Sequence, residues 1–333
     1  MDHSRGRRGI GRLTLTLLSL TTKDTKDTKV KPPNRISFIR LVSLVSFVSC
    51  VVAPQAADAQ IYESIGIRAQ GMSGAFVAVA DDATTTWWNP AGLASGGYFN
   101  GLVEFDRVED PSGTRARAFA VTVPSLGLSY YRLALNGMRP SDPTESSPAN
   151  REDQGVLSVF GATVGQSVGS HLILASTLKL VHALGETGGD LDTGAMVMLG
   201  RARLGLSAKN LRTPDFSDGV RQIELPRQVR AGAAVRAGSR RAEITVAVDG
   251  DLTRTPTAFG DERHLAFGAE SWLANRTVGV RGGIGMNTIG ESRRSGSVGL
   301  SAAFRAGLYV DGQLTRGSDE ARNGWGLALR VTF

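Results

Sequence analysis

Cysteine is nearly absent: Cys50 is the only one in 333 residues. Disulfide frameworks, thiol catalysis and cysteine-rich zinc sites are therefore excluded. Lysine is almost missing beyond residue 59, where only Lys179 and Lys209 occur and the other cations are arginines. Aromatics are scarce, and no apolar run of 18 or more residues occurs after residue 60. A membrane-spanning helix, which needs about 20 such residues, is thus excluded there. A basic nucleic-acid face is missing too. The formal charge is +7, but residues 1–59 hold ten Lys/Arg and four Asp/Glu, which leaves 28 against 27 in the remainder. No nucleic-acid partner is expected.

The first 59 residues have the order of an export signal. Residues 1–30 contain the low-complexity "TKDTKDTK" and read as a disordered extension or a mis-assigned start. Residues 31–59 read as a signal peptide. Lys31, Arg35 and Arg40 precede the uncharged run Leu41–Ala53, and Ala57-Asp58-Ala59 offers a cleavage site before Gln60. A lipoprotein reading through Cys50 is poor, because the bulky Phe47 spoils the lipobox.

The chain beyond Gln60 is rich in glycine (41 in the whole sequence) and alternates with period two. In "NGWGLALRVTF", Trp325, Leu327, Leu329, Val331 and Phe333 share one face, and Gly324, Gly326, Ala328, Arg330 and Thr332 the other. Val229–Arg236, Glu243–Asp249 and Leu308–Thr315 repeat the pattern. Fourteen strands are expected, at about 97–108, 115–124, 126–136, 153–166, 169–183, 190–200, 202–211, 224–237, 241–252, 263–273, 276–287, 294–304, 307–316 and 322–333. A soluble sandwich would alternate too. Two features favour an antiparallel transmembrane β-barrel over residues 96–333. Charges stand in mid-strand, as a watery lumen allows. Tight links also take turns with longer polar ones such as "GMRPSDPTESSPANRE", "RTPDFSDGVRQI" and "TRTPTAFGDE".

Residues 60–95 precede the first strand, are too few to fold alone, and carry Phe76, Val77, Val79, Trp87 and Trp88. The barrel mouth is the expected place for them, as a hatch or plug. Gly66, Gly71 and Gly74 allow close approach, and Asn89 before Pro90 favours a turn. Asp81 and Asp82 either pair with lumenal arginines, with Arg230, Arg236, Arg281 and Arg330 as candidates, or form a wetted turn. Trp87 and Trp88 either touch a passing ligand or anchor the segment.

"GIRAQGMSGAFVAVADDATTTWWNPAGLA" resembles the amino-terminal signature of the FadL/TodX-like and PorV-like outer-membrane barrels. The resemblance implies a hatch with the motif Asn89-Pro90-Ala91 ahead of a fourteen-strand barrel, exported to the outer membrane of a Gram-negative-type cell and surrounded by its lipid. The terminal Phe333 resembles the signal read by the barrel-assembly machinery. The FadL-like branch implies passive transport of small hydrophobic molecules. The PorV-like branch implies an accessory that binds secreted proteins, with loops 137–152 and 212–223 as its contact surface. The mature chain of 274 residues (333 minus 59) is short for either branch.

The glycines of "GVRGGIGMNTIG", residues 279–290, suit a strand kink or simple lumenal tapering. Enzyme signals are weak and no cofactor or metal is expected. "GQSVG" around Ser167 joins two strands, whereas a nucleophile elbow needs strand, turn and helix. His171, His182 and His264 make no ligand spacing, and His264 reads as a solvated rim residue. Glu186, Asp190 and Asp192 read as an acidic loop tip rather than a calcium site.

Overall fold

The computed structural model describes residues 65–109, 115–134, 156–217, 222–239, 241–257, 260–318 and 322–333. The expected extension, signal peptide, cleavage site and loop 137–152 lie outside the described residues.

Eighteen strands occur among the described residues. Fourteen form one closed antiparallel barrel: β1 (Asn100–Val108), β2 (Arg115–Val123), β3 (Leu126–Ala134), β4 (Val156–Val168), β5 (Leu172–Ala183), β6 (Glu186–Leu199), β7 (Ala202–Lys209), β10 (Gln228–Ser239), β11 (Ala242–Asp251), β14 (His264–Leu273), β15 (Val278–Asn287), β16 (Arg294–Arg305), β17 (Leu308–Gly317) and β18 (Gly324–Thr332). Each pairs with its neighbours in sequence order, and β1 closes on β18 from Asn100 opposite Thr332 to Val108 opposite Gly324. Closure pairs every strand edge, which is what a sheet in a bilayer requires.

Burial is inverted relative to a soluble protein. Val103, Phe119, Leu178, Leu300 and Phe304 are exposed, while Glu104, Asp249, Glu270, Asp311 and Arg330 are buried. The alternation seen in sequence thus sends apolar side chains outward to a belt and polar ones inward. Strands of about 9 to 11 tilted residues span a bilayer's hydrocarbon, and most of these are that long.

Two of the long links fold further than expected. One contains the hairpin β8 (Asp215–Ser217) with β9 (Gln222–Glu224), the other β12 (Thr255–Thr257) with β13 (Gly260–Glu262). The acidic loop tip is corrected. Glu186, Asp190 and Asp192 lie in β6, and the link before it is only Leu184-Gly185, both with left-handed φ (51° and 82°), as a two-residue hairpin turn needs. Gly188 interrupts the alternation there because the Phe216 ring of β8 lies against it, 3.2 Å from where a Cβ would stand. Strand β15 is not kinked: its pairing to β14 and β16 runs without a register shift.

Candidate functional site

Residues 65–95 form a buried inner segment against the barrel's inward face. It consists of single turns: α1 (Ile67–Gln70), α2 (Thr85–Trp88) and a 3₁₀ turn (Pro90–Ser95). Such short turns leave backbone N–H groups without partners, and two wall carboxylates accept them. Gly66 N–H and Ile67 N–H donate to Glu104 of β1 at 2.7 and 3.1 Å. Phe76 N–H and Val77 N–H donate to Asp249 of β11 at 2.7 and 2.6 Å. The Gln70 amide donates to Asp106 at 2.6 Å, and Ser73 Oγ meets Ser297 Oγ at 2.7 Å.

The charges of the segment form an ion-pair network around Arg68. Its guanidinium reaches Asp81 at 2.5 Å, Asp82 at 3.2 Å and Glu270 of β14 at 2.5 Å. Asp81 also takes Arg236 of β10 at 2.8 Å. Glu270 continues to Arg281 at 3.5 Å, Arg281 to Asp311 at 3.6 Å, and Asp311 to Arg330 at 2.8 Å. Arg236 also meets Glu243 at 3.6 Å, and Glu243 meets Arg276 at 3.0 Å, so five arginines stand against five carboxylates and the ion-paired network is neutral. Burial alone pushes a carboxyl up, yet Arg68, Arg236 and Arg203 hold Asp81 well below the usual carboxylate range. Burial likewise draws Arg68 down, but Asp81 and Glu270 more than offset it, and its affinity for the proton is raised.

Of the four arginines expected near Asp81 and Asp82, Arg236 makes the direct ion pair. Arg281 and Arg330 join through Glu270 and Asp311, and Arg230 pairs with Asp251 at 2.6 Å. Arg68 went unnamed by sequence reasoning. The available signal was electrostatic: two aspartates in a segment bound for burial call for a cation, and Arg68 is the one that segment carries.

Both tryptophans pack against fixed neighbours. Trp87 meets Tyr131 of β3 edge-on at 4.9 Å between centroids, and the Lys209 ammonium sits 3.5 Å from its ring centre. Trp88 is fully buried, donates Nε1–H to the Ile65 carbonyl at 2.9 Å and meets Phe76 edge-on. Asn89 explains its own motif. Its side-chain oxygen accepts Ala91 N–H at 3.1 Å, capping the 3₁₀ turn in which Pro90 takes the first position, where a missing N–H does no harm. Its amide donates to Val77 O at 2.9 Å and to Ala195 O of β6 at 3.3 Å, tying two parts of the segment to the wall.

Wall glycines make room for this segment. A Cβ on Gly205 of β7 would stand 2.6 Å from Val77 O, and one on Gly268 of β14 would stand 2.7 Å from Met72 O. Gly283 of β15 faces the Met72 backbone in the same way, whereas Gly279, Gly282, Gly285 and Gly290 face residues outside the segment.

The lumen has two unlike arcs. Toward the long-link end, β2 to β5 turn Ala116, Ala118, Leu133, Leu157, Val159, Val181 and Ala183 inward. Phe216 and Ile223 of the β8–β9 hairpin join the same cluster, and Tyr131, Trp87 and Trp88 belong to it as well. Across the barrel, β11 and β14 to β18 present Asp249, Arg281, Ser297, Ser301, Asp311 and Arg330. Lys179 of β5, beside the apolar arc, is neutralised by Asp190 at 2.6 Å and Asp192 at 2.7 Å.

His264 is corrected from a solvated rim residue. It is buried, with Nε2 3.1 Å from Ser73 O. Ser167 is the residue before the last of β4, which runs through a turn into β5 with no helix between them. Among the described residues no group of three or more His, Cys, Asp or Glu is placed to hold a metal. Phe333 is exposed and exchanges backbone hydrogen bonds with Phe99.

No protein-family model matches the chain, and no curated protein matches it in sequence. Solved structures do match. The CymD monoaromatic hydrocarbon channel aligns with TM-score 0.58 at 13% identity, covering 83% of this chain and 99% of that one. The Ralstonia pickettii toluene transporter TbuX aligns with TM-score 0.54 at 12% identity, covering 82% and 99%. The P. putida toluene transporter TodX aligns with TM-score 0.52 at 10% identity, covering 82% and 99%. The likeness runs over nearly the whole length of each, and this chain shares its barrel fold with them.

Proposed function

We propose that the protein is an outer-membrane channel through which small hydrophobic molecules pass passively, with the inner segment as its hatch. The observation that carries this reading is the divided lumen. An apolar arc on β2 to β5 descends from the β8–β9 hairpin to Trp87 and Tyr131, while the chain of ion pairs from Glu270 through Arg281 and Asp311 to Arg330 lies on β14 to β18, and Lys179, the charge on the apolar side, is neutralised by Asp190 and Asp192. A molecule without hydrogen-bonding groups is stabilised on the first arc and excluded from the second. The exposed apolar belt supports a bilayer location, and the names of the similar structures, a hydrocarbon channel and two toluene transporters, support the substrate class.

Uptake of labelled toluene into liposomes containing the purified protein tests the proposal. Wild type is expected to accelerate entry over empty liposomes. Leu157→Asp and Val181→Asp, which put charge into the apolar arc, are expected to reduce that acceleration by about tenfold or more. Equal entry with and without the protein would overturn the reading, as would full activity of both variants.

A further inference from the structure

The chain beyond residue 59 is close to neutral, yet its charges are sorted between the two barrel ends. Six short links share one barrel end, Pro124–Ser125, Gly169–His171, Gly200–Arg201, Arg240–Arg241, Ala274–Thr277 and Ala306–Gly307, and none contains Asp or Glu; the seventh, Leu184–Gly185, lies at the end of the long links. Four consecutive links around the rim carry arginine at or beside the turn. They are Arg201 between β6 and β7, Arg241 between β10 and β11, Arg276 between β14 and β15, and Arg305 at the end of β16. Arg276 pairs with Glu243 at 3.0 Å. Arg201, Arg241 and Arg305 are exposed and have no carboxylate partner among the described residues.

The long-link end is built differently. Acids occur there and pair with some of its arginines, Arg316 with Glu109 at 2.9 Å, Arg322 with Glu262 at 2.9 Å and Arg254 with Asp261 at 3.8 Å, while Arg107, Arg115, Arg132, Arg263 and Arg294 are exposed with no carboxylate partner among the described residues. At the short-link rim the arginines stand where the outward apolar belt ends, with exposed Leu199, Ile244 and Phe304 within three residues of Arg201, Arg241 and Arg305. An unpaired guanidinium at that level reaches the headgroup layer while its stem stays against apolar surface, and its fork matches phosphate oxygens.

We propose that this arc, from β6 to β17, binds anionic phospholipid headgroups of the leaflet on the short-link side. The inference rests on the bilayer-spanning belt and is independent of what passes through the lumen. It fixes the barrel's depth on one flank, since the remaining short links at that end, Pro124–Ser125 and Gly169–His171, carry no arginine.

Native mass spectrometry of the full protein in neutral detergent tests this, with phosphatidylglycerol and phosphatidylcholine titrated in parallel. Wild type is expected to prefer phosphatidylglycerol by about tenfold. The triple variant Arg201→Gln, Arg241→Gln, Arg305→Gln is expected to lose most of that preference, and Arg254→Gln at the opposite end to keep it. Equal binding of the two lipids by wild type, or an intact preference in the triple variant, overturns the proposal. Salt supplies a second readout on the wild type alone, should the triple variant fail to fold. Raising salt from roughly 50 to 500 mM is expected to pull the preference toward unity, because exposed charges are screened. A preference unmoved by salt overturns the proposal as well.

Discussion

Replacing Arg68 by Met removes the cation on which three carboxylates converge, while keeping much of its apolar stem. Asp81 retains Arg236 at 2.8 Å and Glu270 retains Arg281 at 3.5 Å, but no ion pair other than that with Arg68 is seen for Asp82 among the described residues. Breaking a buried pair by removing one partner costs about 3–5 kcal/mol, and the partners left to Asp81 and Glu270 place this variant near the lower end. The wall itself holds through its ladder hydrogen bonds, so the loss falls on the seating of the inner segment. About 3 kcal/mol corresponds to roughly a hundredfold shift in the equilibrium between seated and released segment. In planar bilayers the fraction of time spent in a conducting state is therefore expected to rise by about that factor. The heat-modifiable gel shift that reports a closed barrel is expected to stay unchanged. Adding Asp81→Asn removes one of the stranded charges, so the double variant is expected to be less disturbed than the sum of the two single ones. The reasoning is refuted if Arg68→Met forms a closed barrel with the conductance and protease resistance of wild type.

Acid is expected to loosen the same seat. The Asp81 carboxyl is held below its unfolded value, so at low pH the released form binds more protons than the seated one and the seated form loses stability as pH falls. Its contribution is complete above about pH 5 and declines below about pH 4, which conductance against pH would show as an acid-side rise that is absent in Asp81→Asn. Asn89→Asp keeps the cap to Ala91 but loses both amide donors, to Val77 and Ala195; a loss of about 1–3 kcal/mol is expected in urea titrations of the folded barrel in detergent. Gly205→Ala sets a methyl 2.6 Å from Val77 O; about 1–3 kcal/mol of overpacking is expected to appear as faster proteolysis within residues 65–95, with the strand content by circular dichroism unchanged.

The wall was legible in sequence because a strand writes its two environments into alternate residues. Leu327 and Leu329 against Ala328 and Arg330 already state which side faces lipid, and all fourteen barrel strands fall where that alternation stands. It failed where a residue answers to something distant. Gly188 weakened the start of β6 because a ring from β8 rests on it, so Glu186, Asp190 and Asp192 looked like a loop. Arg236 could be proposed as a partner of Asp81, since an inward charge in mid-strand is conspicuous. Glu104 and Asp249 could not, because they accept backbone N–H groups, which every residue offers and no side-chain pattern reveals. His264 was misjudged for a similar reason: only the path of the inner segment brings Ser73 O to its ring.

The position of Glu104 has a consequence for assembly. The strand that holds Gly66 and Ile67 is also the one that meets β18 at the seam. Gly66 and Ile67 are thus tethered to one lip of the seam, and the closed ring surrounds them. A peptide spanning residues 65–95, supplied to a preformed barrel that lacks it, is accordingly expected to fail to dock, while the same peptide present during refolding is captured; equal capture in both orders would show that the interior stays accessible after closure.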